Sequence, residues 1–331
     1  MFHKTFSLFK KWQKKRCWSC NSLEVICWGK RKNKQRFKCK NCGLLFTNNR
    51  PEQKIKNRFV WFKKWVLERQ TYQTLSRDSG YSIDTLQRTF YTLLEQSPKI
   101  KIIKRNRVNL RMDATYFSKF CLVAYQDDFD GYIQLIRFTD GEHFQEIKED
   151  LSNLIQLGVQ LESITTDGHK SVLKAIREAV PEVIIQRCLV HIQRMCLIWL
   201  TRYPKHSSGQ ELRKLVLLLL KIKTENDRIY WTNELNLWYQ RHKDYLSEKT
   251  YNPATGRYWY KHKLVRRSFF TIKRALPNMF HYLQHPSIPN TTNGIEGFFS
   301  HLKNHLNIHR GLTLENRINF IKWYIYFSNG E

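Results

Sequence analysis

The sequence predicts an α/β fold in which a mixed sheet is interrupted by a long helical insertion, with two small basic modules ahead of it. Three observations carry this. From residue 108 apolar and polar side chains alternate through three successive stretches, which then give way to helical and strand-like runs in turn, up to residue 186. Residues 192–289 are rich in helical spacing. The first 109 residues hold paired cysteines and 27 Lys/Arg against 6 Asp/Glu, a net of +21, whereas residues 110–331 carry 30 against 22, a net of +8.

A chain of 331 residues with 41% hydrophobic and 14% aromatic side chains can bury a sizeable core. Its formal net charge of +29 exceeds what solubility needs and points to a polyanionic partner; a merely solvated basic face is the alternative. The longest apolar run, from Leu215 to Leu220, falls far short of the roughly 18 residues of a membrane span. Met1-Phe2-His3-Lys4 opens no apolar leader, so a cytoplasmic protein is expected and its eight cysteines are read as reduced.

Cys17, Cys20, Cys39 and Cys42 form two C-x2-C pairs eighteen residues apart. Each pair presents two thiolates to one tetrahedral ion, and the spacing lets a short hairpin join them, which predicts a zinc ribbon over residues 1–50. The hairpin strands are Leu23 to Trp28 and Gln35 to Lys38, across a basic turn from Gly29 to Lys34. So small a module buries little, and the metal would supply its folding energy. Redox or disulfide use of the four cysteines is the alternative.

Residues 51–98 read as helices. Phe59, Phe62, Trp65 and Val66 share one face, Tyr72 to Asp78 forms a second helix, and Ser82 caps a third from Ile83 to Leu94. Helix, glycine-containing turn, helix is the helix-turn-helix plan, with Thr85, Gln87 and Arg88 on the early turns of the recognition helix. A three-helix packing unit without nucleic acid is the other reading. A basic stretch from Lys99 to Arg107 links to the next domain.

From there the predicted order is three antiparallel strands (108–113, 120–125, 132–138), a helix (142–157), a strand (161–166), a helix (169–180) and a strand (183–186). This is the ribonuclease-H-like arrangement. It sets the end of the first strand beside the end of the fourth, so Asp113 and Asp167, 54 positions apart, come close enough to share a cation. Paired carboxylates repel unless a cation lies between them, and Mg²⁺ takes oxygen ligands while keeping waters for substrate.

Glu296 lies in Thr291-Thr292-Asn293-Gly294-Ile295-Glu296, in the first turns of a helix that places Lys303 two turns further along the same face. A third carboxylate would hold a second ion, and Lys303 would meet a phosphate; a capping-box glutamate is the local alternative. Cys188 and His191 follow the fifth strand as Cys-x2-His, open to reading as a buried Cys and a satisfied His, or with Cys196 as a further zinc site short of one ligand.

In their order, Asp113, Asp167-Gly168, Cys188-Leu189-Val190-His191 and Thr292-Asn293-Gly294-Ile295-Glu296 resemble the Mutator-like superfamily of DDE transposases. The chain is most similar to bacterial insertion-sequence transposases with an N-terminal zinc-binding module, over about residues 15–320. The resemblance implies a catalytic core at 99–191, a helical insertion at 192–289 and a last core segment at 290–331 carrying the glutamate. It places Cys188 and His191 in the active-site neighbourhood. It also implies two catalytic Mg²⁺ or Mn²⁺ ions bridged by Asp113, one held by Asp167 and the other by Glu296. The expected partners are the terminal inverted repeats and target DNA, engaged by a homodimer or higher oligomer. A DNA-binding regulator that has lost catalysis, or a structure-specific nuclease on the same sheet, are the alternatives. Trp199, Trp231, Trp238 and Trp259 would either stack on unpaired bases or pack the insertion core.

Overall fold

The computed structural model describes residues 15–47 and 51–330 and divides into two compact units, Met1–Leu93 and Leu94–Glu331. In the first unit β1 (Val25–Arg31), β2 (Lys34–Cys39) and β3 (Leu45–Thr47) form an antiparallel sheet in the order β1-β2-β3. The hairpin turn is tighter than expected. Lys32 and Asn33 both take positive φ, of 50° and 60°, which suits a two-residue turn, and the register slips between Cys27 and Lys30, where Gly29 adopts φ +66°. Cys17, Phe37, Cys39 and Phe46 are buried together, with Trp18, Val25 and Leu44 packed on them.

Helices α1 (Pro51–Leu67), α2 (Tyr72–Ser79) and α3 (Ile83–Glu95) follow. Phe62 and Trp65 pack their rings on Phe90 at centroid distances of 5.5 and 5.3 Å. Thr71 caps α2 by accepting from the Thr74 amide, Gly80 closes it at φ +70°, and Ser82 accepts from the Thr85 amide at 3.3 Å to open α3. Gln87 and Arg88 lie on the exposed face of α3. Thr85 is half-buried, and its hydroxyl bonds that of Ser82 at 2.9 Å.

The second unit is built on a five-stranded mixed sheet of β4 (Val108–Tyr116), β5 (Cys121–Asp127), β6 (Ile133–Thr139), β7 (Leu161–Thr166) and β8 (Ile184–Arg187), in the order β6-β5-β4-β7-β8. The β4, β5 and β6 pairings are antiparallel; β7 runs parallel to both β4 and β8. Val108, Leu110 and Met112 turn to the face covered by α4 (Phe144–Gln156) and α5 (Lys170–Ala179), where they join Ile147, Leu151, Val172 and Ile176 in one core. Strand alternation therefore sends Asn109, Arg111 and Asp113 to the opposite face.

After β8 the chain enters α6 (Leu189–Leu200), α7 (Ser207–Leu218), α8 (Glu225–Ser247), a hairpin of β9 (Lys249–Asn252) and β10 (Arg257–Tyr260), α9 (Lys263–Ala275) and the short α10 (His281–Gln284). This insertion has a core of its own. Trp231 and Trp238 are buried in it, their indole N–H groups donating to the Leu215 and Ser208 carbonyls at 2.8 and 3.0 Å. They are packing residues, whereas Trp259 of the hairpin is exposed.

The chain then returns to the sheet. The Leu189 amide donates to the Asn290 carbonyl at 3.0 Å, and the Thr165 hydroxyl to the Pro289 carbonyl at 2.7 Å. This delivers α11 (Asn293–Leu306) against β4, on the face that carries Asp113. A Cβ at Gly294 would meet the Arg111 guanidinium, which would have to shift to admit it. A final helix, α12 (Leu314–Ser328), buries Phe320, Ile321, Trp323 and Ile325, and just beyond it the Asn329 amide bonds both backbone groups of Ile133 at the sheet edge.

Candidate active site

Asp113 lies inside β4, which runs three residues further than its alternation suggested; Asp167 directly follows β7. The parallel register pairs Arg111 with Thr165, and two residues further along each chain stand the two aspartates. Gly168, at φ +85°, turns the chain away after Asp167, whose carboxylate accepts from the His169 amide at 2.9 Å. Glu296 lies in the first turn of α11. Asp113, His191, Glu296 and Lys303 line one open cavity of about 370 Å³, together with Thr115, Phe299 and Ser300.

The electrostatics tie these groups together. Burial, reinforced by the Asp167 and Glu296 charges, pushes the Asp113 carboxyl up to about 7, against the opposing pull of the Ala114 amide and His191. Glu142, ahead of α4, is likewise raised to about 7, by burial and then by Asp167. A cation between these carboxylates would relieve the repulsion, and the all-oxygen donor set suits Mg²⁺ or Mn²⁺. Asp113, Asp167 and Glu296 do not together form a group whose ligand atoms all lie within 4.8 Å of one another.

Glu296 is held by other groups. Its Oε1 accepts from the Thr292 hydroxyl at 3.2 Å and lies 3.8 Å from His191 Nδ1; its Oε2 accepts from Arg194 at 3.3 Å. No side-chain cap forms at Thr292, so the capping-box arrangement is not adopted. Cys188 lies beneath, its sulfur accepting from both the amide and the hydroxyl of Thr292 at 3.3 Å. Burial would raise the Cys188 thiol, but His191 and Thr292 outweigh it and lower it. His191 in turn rises to about 9, chiefly through its hydrogen bond to Cys188. Cys196 takes no part in this cluster: its sulfur faces the Ser268 carbonyl at 3.7 Å inside the insertion core.

Among the described residues, two groups bring metal-ligating atoms within 4.8 Å of one another: Cys17, Cys20, Cys39 and Cys42, and Cys188, His191 and Glu296. In the first, Cys17 and Cys42 lie 3.4 Å apart and Cys20 and Cys39 3.6 Å, too far for disulfides and close to the edge of a tetrahedral zinc–thiolate site. A zinc site therefore fits these four residues.

The family profile described as "Transposase, Mutator family" matches residues 91–311, two thirds of the chain. The chain belongs to the Mutator family of transposases. A curated relative, the transposase for insertion sequence element ISRM5 of Rhizobium meliloti (strain 1021), is 27% identical over 158 residues, covering 47% of this chain. The alignment spans 40% of that transposase's length. Among solved structures, the magnesium-bound catalytic core domain of HTLV-2 integrase, in trimeric and dimeric forms, aligns with 36% of this chain and 88% of its own. The identities are 17% and 16%, with a TM-score of 0.22.

Sequence reasoning named Asp113, Asp167, Glu296, Cys188, His191 and Lys303 as candidates; the fold brings Asp113, His191, Glu296 and Lys303 to one cavity, with Asp167 after the neighbouring strand and Cys188 against Thr292. It missed Arg194, which sits one turn after His191 on α6; Glu142; and Arg187, which is buried and donates to the Asp167 carbonyl at 2.8 Å. Thr292 was legible only as a helix-opening residue.

Proposed function

We propose that this Mutator-family transposase binds the terminal inverted repeats of an insertion sequence and catalyses metal-dependent strand cleavage followed by 3′-OH strand transfer. The observation that carries the reading is the meeting of Asp113 and Glu296 in one cavity, with Asp167 at the end of the neighbouring parallel strand. Asp113, Asp167 and Glu296 would hold the two Mg²⁺ or Mn²⁺ ions, which when bound activate the attacking oxygen and stabilise the leaving 3′ oxygen. Lys303, on the rim of the same cavity, meets a phosphate of the strand being cut.

Residues 1–50 and 51–98 act as zinc ribbon and helix-turn-helix in this reading. The helix-turn-helix reads base edges through Gln87 and Arg88, with Thr85 fixing the start of α3. Two DNA ends require at least a homodimer on DNA, and the reaction belongs in the cytoplasm, at the nucleoid. No described helix is long and apolar enough to cross a membrane.

The experiment is incubation of the purified chain with its own flanking DNA and Mg²⁺ or Mn²⁺. The expected products are 3′-OH nicks at fixed ends and joined target strands. Asp167→Ala is expected to bind the same DNA and cut none; undiminished cutting by that variant would overturn the assignment. Nicks without any joined product would favour the nuclease, and binding without metal-dependent nicks the regulator.

A further inference from the structure

Three ligand atoms of different chemistry converge on one point beside the catalytic carboxylates. Cys188 Sγ, a His191 ring nitrogen and a Glu296 carboxylate oxygen all lie within 4.8 Å of one another. The point between them is held by the Thr292 hydroxyl, 3.3 Å from Cys188 Sγ, 3.3 Å from His191 Nδ1 and 3.2 Å from Glu296 Oε1. That hydroxyl donates to one of the three and can accept from the others, so it bridges all three ligand groups at a single point. A tetrahedral zinc ion with bonds of about 2.0–2.3 Å separates its ligand atoms by roughly 3.3–3.8 Å. For a nitrogen and an oxygen ligand that edge is about 3.3–3.4 Å, so the 3.8 Å between His191 Nδ1 and Glu296 Oε1 closes by roughly 0.4 Å when an ion binds.

We propose that Cys188, His191 and Glu296 form a second Zn²⁺ site, whose filling withdraws Glu296 from the catalytic ion pair and switches the enzyme off. Thiolate and imidazole select zinc over Mg²⁺ and Mn²⁺, which prefer oxygen ligands. The open cavity lined by His191 and Glu296 gives a route to two of the three ligands, and a water would complete the coordination. Thr292 rotates its hydroxyl aside when the ion enters. The ion is distinct in role from the ribbon zinc: removing it from the protein would free Glu296, whereas removing the ribbon zinc would unfold the ribbon. The regulatory half of the proposal rests on the catalytic role given to Glu296; the binding half does not.

The test counts zinc. The full-length chain, and its Cys188→Ser, His191→Gln and Glu296→Gln variants, are dialysed against micromolar Zn²⁺ and the bound metal is measured by mass spectrometry. Circular dichroism identifies the variants that fold. The expected result is two ions per chain for the wild type and one for every folded variant. One ion in the wild type, or two in the variants, would overturn the site. Mg²⁺-supported cleavage by the wild type is then titrated with Zn²⁺. At least a tenfold loss is expected, while the cleavage that remains in Cys188→Ser resists the same zinc; equal sensitivity would overturn the switch. Absence of any wild-type cleavage in Mg²⁺ or Mn²⁺ would remove the functional reading, and the zinc count would still decide the site.

Discussion

The Arg187 guanidinium donates to the Asp167 carbonyl at 2.8 Å and occupies the space that any side chain on Gly168 would need. A methyl group there would collide with the Arg187 guanidinium, on a backbone at φ +85° that also disfavours every other residue. Gly168→Ala is therefore expected to lower stability by about 1–3 kcal/mol. By displacing Asp167 it should also cut strand cleavage at least tenfold, with DNA binding retained. Denaturant titration and a cleavage assay check this; wild-type values in both would show that Arg187 does not hold Asp167 in place.

The ribbon buries little beyond Cys17, Phe37, Cys39 and Phe46, so zinc would supply most of its folding energy, on the order of 10 kcal/mol in such modules. Chelation is expected to expose residues 15–47 to protease while the second unit stays protected, since its two cores involve none of these cysteines. Continued protection of the ribbon in protein shown to be metal-free would refute this.

On the insertion, the Arg266 guanidinium lies 3.7 Å from the Tyr260 ring centroid and 4.4 Å from that of Phe270, and Arg267 lies over Trp199 at 4.3 Å. With Lys263 and Arg274 they line a basic, aromatic hollow that holds no carboxylate. The pair Arg266→Glu and Arg267→Glu is expected to weaken DNA binding about tenfold at low salt and to flatten the slope of log affinity against log salt by about two. An unchanged slope in a filter-binding series would exclude phosphate contact here.

Arg137 forks onto the nearly buried Asp150 carboxylate at 2.6–2.9 Å, and the Tyr125 hydroxyl donates to the same group at 3.0 Å. Arg137→Met leaves that charge unpaired and should cost about 3 kcal/mol, with part recovered in the double variant carrying Asp150→Leu. Urea denaturation of the two variants decides it, and equal loss in both would show that the ion pair is not the cause.

Burial tends to raise the Glu211 carboxyl, but hydrogen bonds from His242 and Arg241 outweigh it and hold it below the ordinary value. A carboxyl with a lowered folded pKa adds stability that is complete above its unfolded pKa of about 4.3 and is lost as pH falls through the folded value. Glu211 is more than a third exposed, so the contribution is under about 1 kcal/mol. Glu211→Gln should therefore be slightly less stable than wild type at pH 6, with the gap closing as pH falls below the ordinary carboxyl range. A gap that persists at pH 3 would assign the effect to lost packing.

Strand alternation and chain order were enough to reach the sheet, Asp113 and Asp167, because both follow from local periodicity. The cysteine spacing located the ribbon, although β3 and the bulge at Gly29 were not legible, since turn geometry decided them. The β9–β10 hairpin, α9 and α12 went unread within segments assigned only broadly. The meeting of Cys188, His191, Thr292 and Glu296 was beyond local pattern, because hydrogen bonds between residues more than a hundred positions apart create it.

The hydrogen bond from Leu189 to Asn290 makes the point of departure from the sheet and the point of return neighbours. Beyond the first turns of α6, which carry His191 and Arg194 to Glu296, what lies between them is a closed detour. Its length drops out of the geometry of Asp113, Asp167 and Glu296, so segments there can be added, trimmed or exchanged while Glu296 stays in register with Asp113. Divergence in size among members of this lineage should concentrate between these two anchors, with the flanking sheet and α11 left unaltered.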